Sequence, residues 1–172
     1  MKNIFCCMLC LTLLMSSCGY TLVGQGNLPD HIKTIAIPVF KNETLEEGVE
    51  ISLTNAAIDE FVKGGRMKLV SRERADALLI GVVKSYKNKE AVTYDDRNRV
   101  SSYKVTVTVD VTLRDLIDDT VLWEEAGLAE NADYAGGDDV GLTEEKENER
   151  NALQTLAEDM AQKIRTLSTE GF

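Results

Sequence analysis

The chain has 172 residues, 44% of them hydrophobic, a length that suits one domain with a real core. Its formal charge of −10 argues against general nucleic-acid binding, because a phosphate backbone is met by basic surface. Only two prolines, no internal repeat and few low-complexity stretches point to a compact fold.

The amino terminus carries Lys2, then a 12-residue apolar run from Ile4 to Met15, then Ser16 and Ser17. A positive start, an apolar core and small residues make a secretory signal peptide. The run is too short to span a bilayer, which takes about 20 residues. Cys18 follows directly, and Met15-Ser16-Ser17-Cys18 resembles the lipobox of bacterial lipoproteins, with Met15 where Leu usually stands. That resemblance implies cleavage before Cys18 and acylation of its thiol and new amine. Residues 1–17 are then the signal peptide, and residues 18–172 form a single periplasmic domain with a lipid anchor at Cys18. Several acyl chains hold a protein stably where one would be marginal. Of the four cysteines, Cys6, Cys7 and Cys10 fall in the removed segment. Cys18 remains as a lone thiol that cannot form an internal disulfide, and acylation resolves it.

Ile32 to Val39 reads as a strand ended at or just after Pro38, and Lys41-Asn42-Glu43-Thr44 as a polar turn. Glu46 to Lys63 has helical spacing, with Thr44 as an N-cap, acids in the first turns, and Gly64-Gly65 as the stop. Its main apolar stripe is Val49, Leu53, Ala56, Ala57 and Phe61. A second stripe of Ile51, Ile58 and Val62 calls for cover by another helix or by a partner protein. Met67 to Ser71 is a short strand, and Ala77 to Tyr86 a longer, apolar, central one that runs on toward Tyr94. Asp95-Asp96-Arg97-Asn98 turns the chain back. Tyr103, Val105, Val107, Val109, Val111 and Leu113 then alternate with polar residues, so one sheet face is buried and one is polar.

Asp118-Asp119 leads into a strand from Thr120 to Ala129, and residues 135–139 read as a loop. Leu142 to Leu167 is the last helix, with Thr143 as cap and one stripe of Leu153, Leu156, Met160, Ile164 and Leu167. The fold class is therefore α+β. The order β-α-β-β-β-β-α puts two helices on one face of a four- to five-stranded, mostly antiparallel mixed sheet.

The motifs that carry catalysis are missing. His31 is the only histidine, and with no second one and no free thiol, zinc sites and Cys/His catalysis are not expected. The paired acids sit in turns, and none has EF-hand spacing. No Walker A loop, Gly-x-Gly-x-x-Gly or Gly-x-Ser-x-Gly occurs. The chain reads as a binding or assembly protein, not an enzyme, with no cofactor and no metal. Residues 63–104 hold eleven basic side chains against five acids, a net of +6, while the rest of the chain is strongly acidic. Such a basic middle suggests a site for an anionic group, with solvated strand lysines as the alternative. The candidates are Lys84, Lys87, Lys89, Arg97, Arg99 and Lys104, and Tyr86, Tyr94 and Tyr103 could frame them.

Cys18-Gly19-Tyr20-Thr21-Leu22, Leu28-Pro29 and the segment from Ile32 to Thr44 together resemble the LPS-assembly lipoprotein family LptE. The likeness continues through Leu53-Thr54-Asn55-Ala56, Leu69-Val70-Ser71 and the segment from Ala75 to Gly81. It implies an outer-membrane lipoprotein facing the periplasm, which plugs a large β-barrel partner (LptD), supports its assembly and binds lipopolysaccharide (LPS) during delivery to the outer leaflet. Gly19 fits outer-membrane sorting, since Asp at that place is the usual retention signal. The basic residues could pair with LPS phosphates. The competing reading is a periplasmic accessory lipoprotein of another transport or secretion system, which shares the strand–helix opening.

Overall fold

The computed structural model describes residues 28–170. The expected signal peptide, residues 1–17, and Cys18 lie outside the described residues. Eight elements follow in order: β1 (Thr34–Ala36), β2 (Lys41–Asn42), α1 (Val49–Gly64), β3 (Lys68–Leu69), β4 (Ala77–Tyr94), β5 (Val100–Asp115), β6 (Val121–Ala135) and α2 (Leu142–Glu170). A single 3-10 turn, Arg72–Arg74, precedes β4.

The sheet has six strands in the order β3-β1-β4-β5-β6, with β2 pairing β4 beside β1. The short strands β1, β2 and β3 pair in parallel, and β4, β5 and β6 form a long antiparallel meander. The architecture is the expected α+β mixed sheet with two helices, with one strand more than expected. The extra strand is β2, which occupies part of the expected polar turn. Lys41 and Asn42 align with Val82 and Val83. The first expected strand shrinks to three residues, because pairing with β3 and β4 covers only Thr34 to Ala36.

Period 2 in β5 becomes a clean division of faces. Val105, Val107, Val109, Val111 and Leu113 are fully buried under the helices, and the residues between them are half-buried on the other side. Burial of each such side chain is worth about 1.5–3 kcal/mol. The α2 stripe supplies the facing layer, with Leu156, Met160 and Ile164 at 1% exposure or less. From α1, Val49, Leu53, Ala57 and Phe61 close the core. Glycine at position 81 lets Phe40 lie flat on β4, since a Cβ there would stand 2.4 Å from the ring.

Helix α1 starts later than expected. Its N-cap is Gly48, in a left-handed conformation with φ 89°, and no side chain caps it. The Thr44 hydroxyl accepts from the Glu46 N–H at 3.2 Å, and the Thr44 N–H donates to Asn42 Oδ1 at 2.8 Å. Thr44 therefore shapes a turn before the helix, a use of the hydroxyl that competes with capping. The helix ends at Gly65, with φ 66°, as its glycine pair predicts.

The end of the sheet nearest the amino terminus is stapled by carboxylates. Asp76 Oδ2 accepts the N–H groups of Lys33 and Thr34, which lock β1 to the start of β4. Beyond Val83, where β2 stops, the outer edge of β4 has no strand beside it among the described residues.

Candidate functional site

The far half of the β4–β5 hairpin carries the six basic residues singled out by charge. The fold disperses them and pairs three. Lys84 binds Glu43 at 2.5 Å, and Glu43 is shared with Lys41 at 2.7 Å. Hydrogen bonds from the two ammonium groups hold the Glu43 carboxyl down at about 2, and the pairing raises the Lys84 amine. Lys89 binds Glu145 at 2.7 Å. Arg99 forks between Asp95, at 2.7 Å, and Asp139. Lys87 and Arg97 are exposed, and no ion pair forms at their side chains among the described residues. Lys104 is half-buried on the open face, across from Glu90 on one side and Asp133 on the other.

Of the four acids that pair with these residues, Asp95 is local, while Glu43, Glu145 and Asp139 lie outside residues 63–104. No local pattern announces these three, and only the fold brings them in. Their carboxylates offset positive charge on the hairpin that the local sequence leaves unbalanced.

Two of the three tyrosines expected to frame the site pack inward instead. The Tyr86 hydroxyl donates to Glu149 Oε1 on α2 at 2.7 Å, and Asn88 Nδ2 donates to the same oxygen at 2.6 Å. Tyr134 completes the chain by donating to Asn88 Oδ1. Burial raises the Tyr86 phenol strongly and pushes Tyr134 up to about 12, with the Glu149 charge adding to both. Tyr103 packs against Tyr134 with the rings tilted by 45° and their centres 5.9 Å apart, and the Lys89 ammonium lies 5.9 Å from the Tyr103 ring centre. Tyr94 alone remains well exposed, near the hairpin tip.

Glu145 ties this network to the loop before α2. Its second oxygen accepts the Gly137 N–H at 3.0 Å. The Lys89 ammonium and that N–H together hold the Glu145 carboxyl below its usual range. Gly137 has φ 112°, and a Cβ there would stand 1.9 Å from the Val100 carbonyl. The hairpin, the loop and the first turn of α2 thus form one locked unit.

The face of the sheet away from the helices is the larger candidate surface. Cross-strand rows on it run Lys87–Thr106–Asn131, Ser85–Thr108–Ala129 and Ile80–Thr112–Glu124. No helix covers it among the described residues, and threonines dominate its central strand. On the helix side, a cleft of about 440 Å³ opens beside Tyr86, Glu149, Arg150 and Leu153. A second cleft of about 370 Å³ lies between the helices at Asn55, Asp59, Lys63 and Gln154. The second apolar stripe of α1 splits, with Ile51 and Val62 exposed and Ile58 packed on the core. No helix of the described residues is long and apolar enough to cross a membrane.

Against known proteins, residues 32–167 match the family model described as lipopolysaccharide-assembly, LptE. No curated protein matches the chain. Among solved structures, rare lipoprotein B from Shewanella oneidensis is similar at 13% identity and TM-score 0.50, over 76% of this chain and 90% of that one. A minor lipoprotein from Acinetobacter baumannii is similar at 15% identity and TM-score 0.53, over 81% and 93%. The PelC dodecamer from Paraburkholderia phytofirmans is similar at 16% identity and TM-score 0.52, over 86% and 95%. At these identities the structures attest the fold. The family match, which spans both helices and all six strands, goes further: the chain belongs to the LptE lipopolysaccharide-assembly family.

Proposed function

We propose that this protein is an outer-membrane lipoprotein, anchored through Cys18, whose domain plugs the LPS translocon barrel, supports its assembly and contacts LPS during insertion. Membership of a lipopolysaccharide-assembly family over residues 32–167 carries the reading. That family works without catalysis, in keeping with the absence of an active-site motif in the sequence. The threonine-rich open face of the sheet suits the water-lined interior of a barrel, where a polar wall meets polar side chains.

Within the basic hairpin, Lys87 and Arg97 are the best placed to meet LPS phosphates, because neither has to leave a carboxylate partner. Lys84, Lys89 and Arg99 keep their acids in the absence of ligand, and a phosphate must compete with them. Lys104 sits on the same open face as Lys87. A charge-assisted contact to phosphate is roughly twice as strong as a neutral hydrogen bond.

Pull-down of the tagged, lipid-modified protein from membranes should recover a large β-barrel protein. Recovery of no barrel overturns the plug role. Lys87→Glu combined with Arg97→Glu should weaken LPS binding in vitro by more than Lys84→Glu combined with Lys89→Glu. Equal, unchanged binding in both double variants removes the hairpin as the LPS site and leaves the barrel reading standing.

A further inference from the structure

His31, Asp115 and Asp118 meet at the end of the sheet, although 84 residues separate the first two. His31 comes from the turn before β1, where the Ile32 N–H closes on the Pro29 carbonyl at 3.0 Å. Asp115 ends β5, and Asp118 sits in the turn to β6. The three donor atoms, one imidazole nitrogen and two carboxylate oxygens, all lie within 4.8 Å of one another. His31 Nε2 is 2.6 Å from Asp115 Oδ2 and 3.9 Å from Asp118 Oδ2.

We infer that this cluster is a binding site for a divalent transition-metal cation of the zinc type, held by His31 Nε2, Asp115 and Asp118. The inference does not depend on the proposed function. Asp115 is the fixed member. Its side chain is 1% exposed, and its Oδ1 accepts the N–H groups of Ile117 at 2.8 Å and Asp118 at 3.1 Å. With Oδ1 held, Oδ2 is left aimed at the imidazole. Zinc bonds to nitrogen and oxygen at about 2.0–2.2 Å, so tetrahedral neighbours stand about 3.4 Å apart. The separations of 2.6 Å and 3.9 Å bracket that spacing. Calcium and magnesium prefer all-oxygen sites, whereas an imidazole with carboxylates suits zinc and its neighbours.

Charge and access agree with the assignment. The hydrogen bond to Asp115 and the charges of Asp115, Asp118 and Asp76 raise the imidazole's affinity for a proton, and the same negative field attracts a divalent cation. The His31 side chain is 35% exposed and Asp118 64% exposed, so the site opens to water on one side. On binding, Nε2 gives up to solvent the proton that bridges it to Asp115, and the cation takes that place. The bound ion would fasten the segment that leads from Cys18 into β1 to the far end of β5. An ordinary ion pair, with no affinity for metal, is the competing account.

The single histidine makes the test clean. The full chain with Cys6, Cys7, Cys10 and Cys18 replaced by serine is titrated with zinc chloride while the imidazole nitrogen resonances are followed. Saturable binding of one equivalent with a shift confined to Nε2 is the expected result. His31→Ala should abolish binding, and Asp118→Asn should weaken it at least about tenfold. Neither side chain is buried, so both variants should keep the parent's circular dichroism. Below the His31 pKa, affinity should fall about tenfold per pH unit as protons compete. An imidazole spectrum unmoved by millimolar zinc, or binding that survives His31→Ala, shows an ion pair only and overturns the inference.

Discussion

The two faces of β5 make different demands on the same sixteen residues. Toward the helices, five consecutive alternate side chains from Val105 to Leu113 have no exposed surface, and packing fixes their size and shape. On the other side Thr106, Thr108, Asp110 and Thr112 keep partial contact with water, and no helix covers them among the described residues. One face specifies the fold, and the other is available to a partner. That difference should show directly in substitution. Val109→Asp buries a charge without a partner and should cost on the order of 4 kcal/mol or more, enough to unfold the domain in a urea titration. Thr106→Asp, three residues away on the open face, should change stability by no more than about 0.5 kcal/mol. A large loss from Thr106→Asp would mean that the open face is covered in the isolated protein.

A smaller effect sharpens the same contrast at the site's edge. Gly137→Ala forces a side chain into a left-handed conformation and into the Val100 carbonyl. It should cost about 1–3 kcal/mol in thermal unfolding and loosen the Glu145–Lys89 pair. An unchanged midpoint would show that the loop is not locked to the hairpin.

The smallest effect is a pH dependence at the exposed rim. Glu43 has a folded-state pKa depressed from 4.5 to about 2 by Lys41 and Lys84. A depressed carboxyl stabilises the fold above its ordinary value and loses that contribution as pH falls toward 2. Glu43→Gln should therefore flatten part of the acid-side decline in melting temperature between about pH 5 and pH 2. His31 has the opposite sign. Its raised pKa adds stability below 6.5 that disappears as pH climbs past the folded value. Identical acid profiles for Glu43→Gln and the parent would remove the rim pairs from the stability of the domain.

Much of the fold was legible in the sequence because its long elements carry strong periodicity. The alternation in β5 and the stripe of α2 each repeat often enough to define a buried face without tertiary context. The short elements were not legible. The two residues of β2 form a strand only because Val82 and Val83 lie alongside, and Thr44 lost its capping role to a local turn. At the candidate site, sequence counted charges and the fold paired them. A net of +6 over residues 63–104 could not reveal Glu43, Glu145 or Asp139, which arrive from elsewhere in the chain. In the sequence His31 is only a lone histidine, since nothing local links it to a carboxylate 84 positions away.

The outer edge of β4 has a further consequence. Among the described residues, the strand runs past Val83 to Tyr94 with β5 on one side only, and its pairing slips at four places between Val83 and Tyr94. A straight bare edge is a template on which any unpaired chain can add itself. Irregular backbone spoils that template by breaking the even spacing of its donors and acceptors. A nascent or partly folded β-protein nearby therefore finds no regular ladder to join. The domain can stand among unfinished strands without being recruited into them.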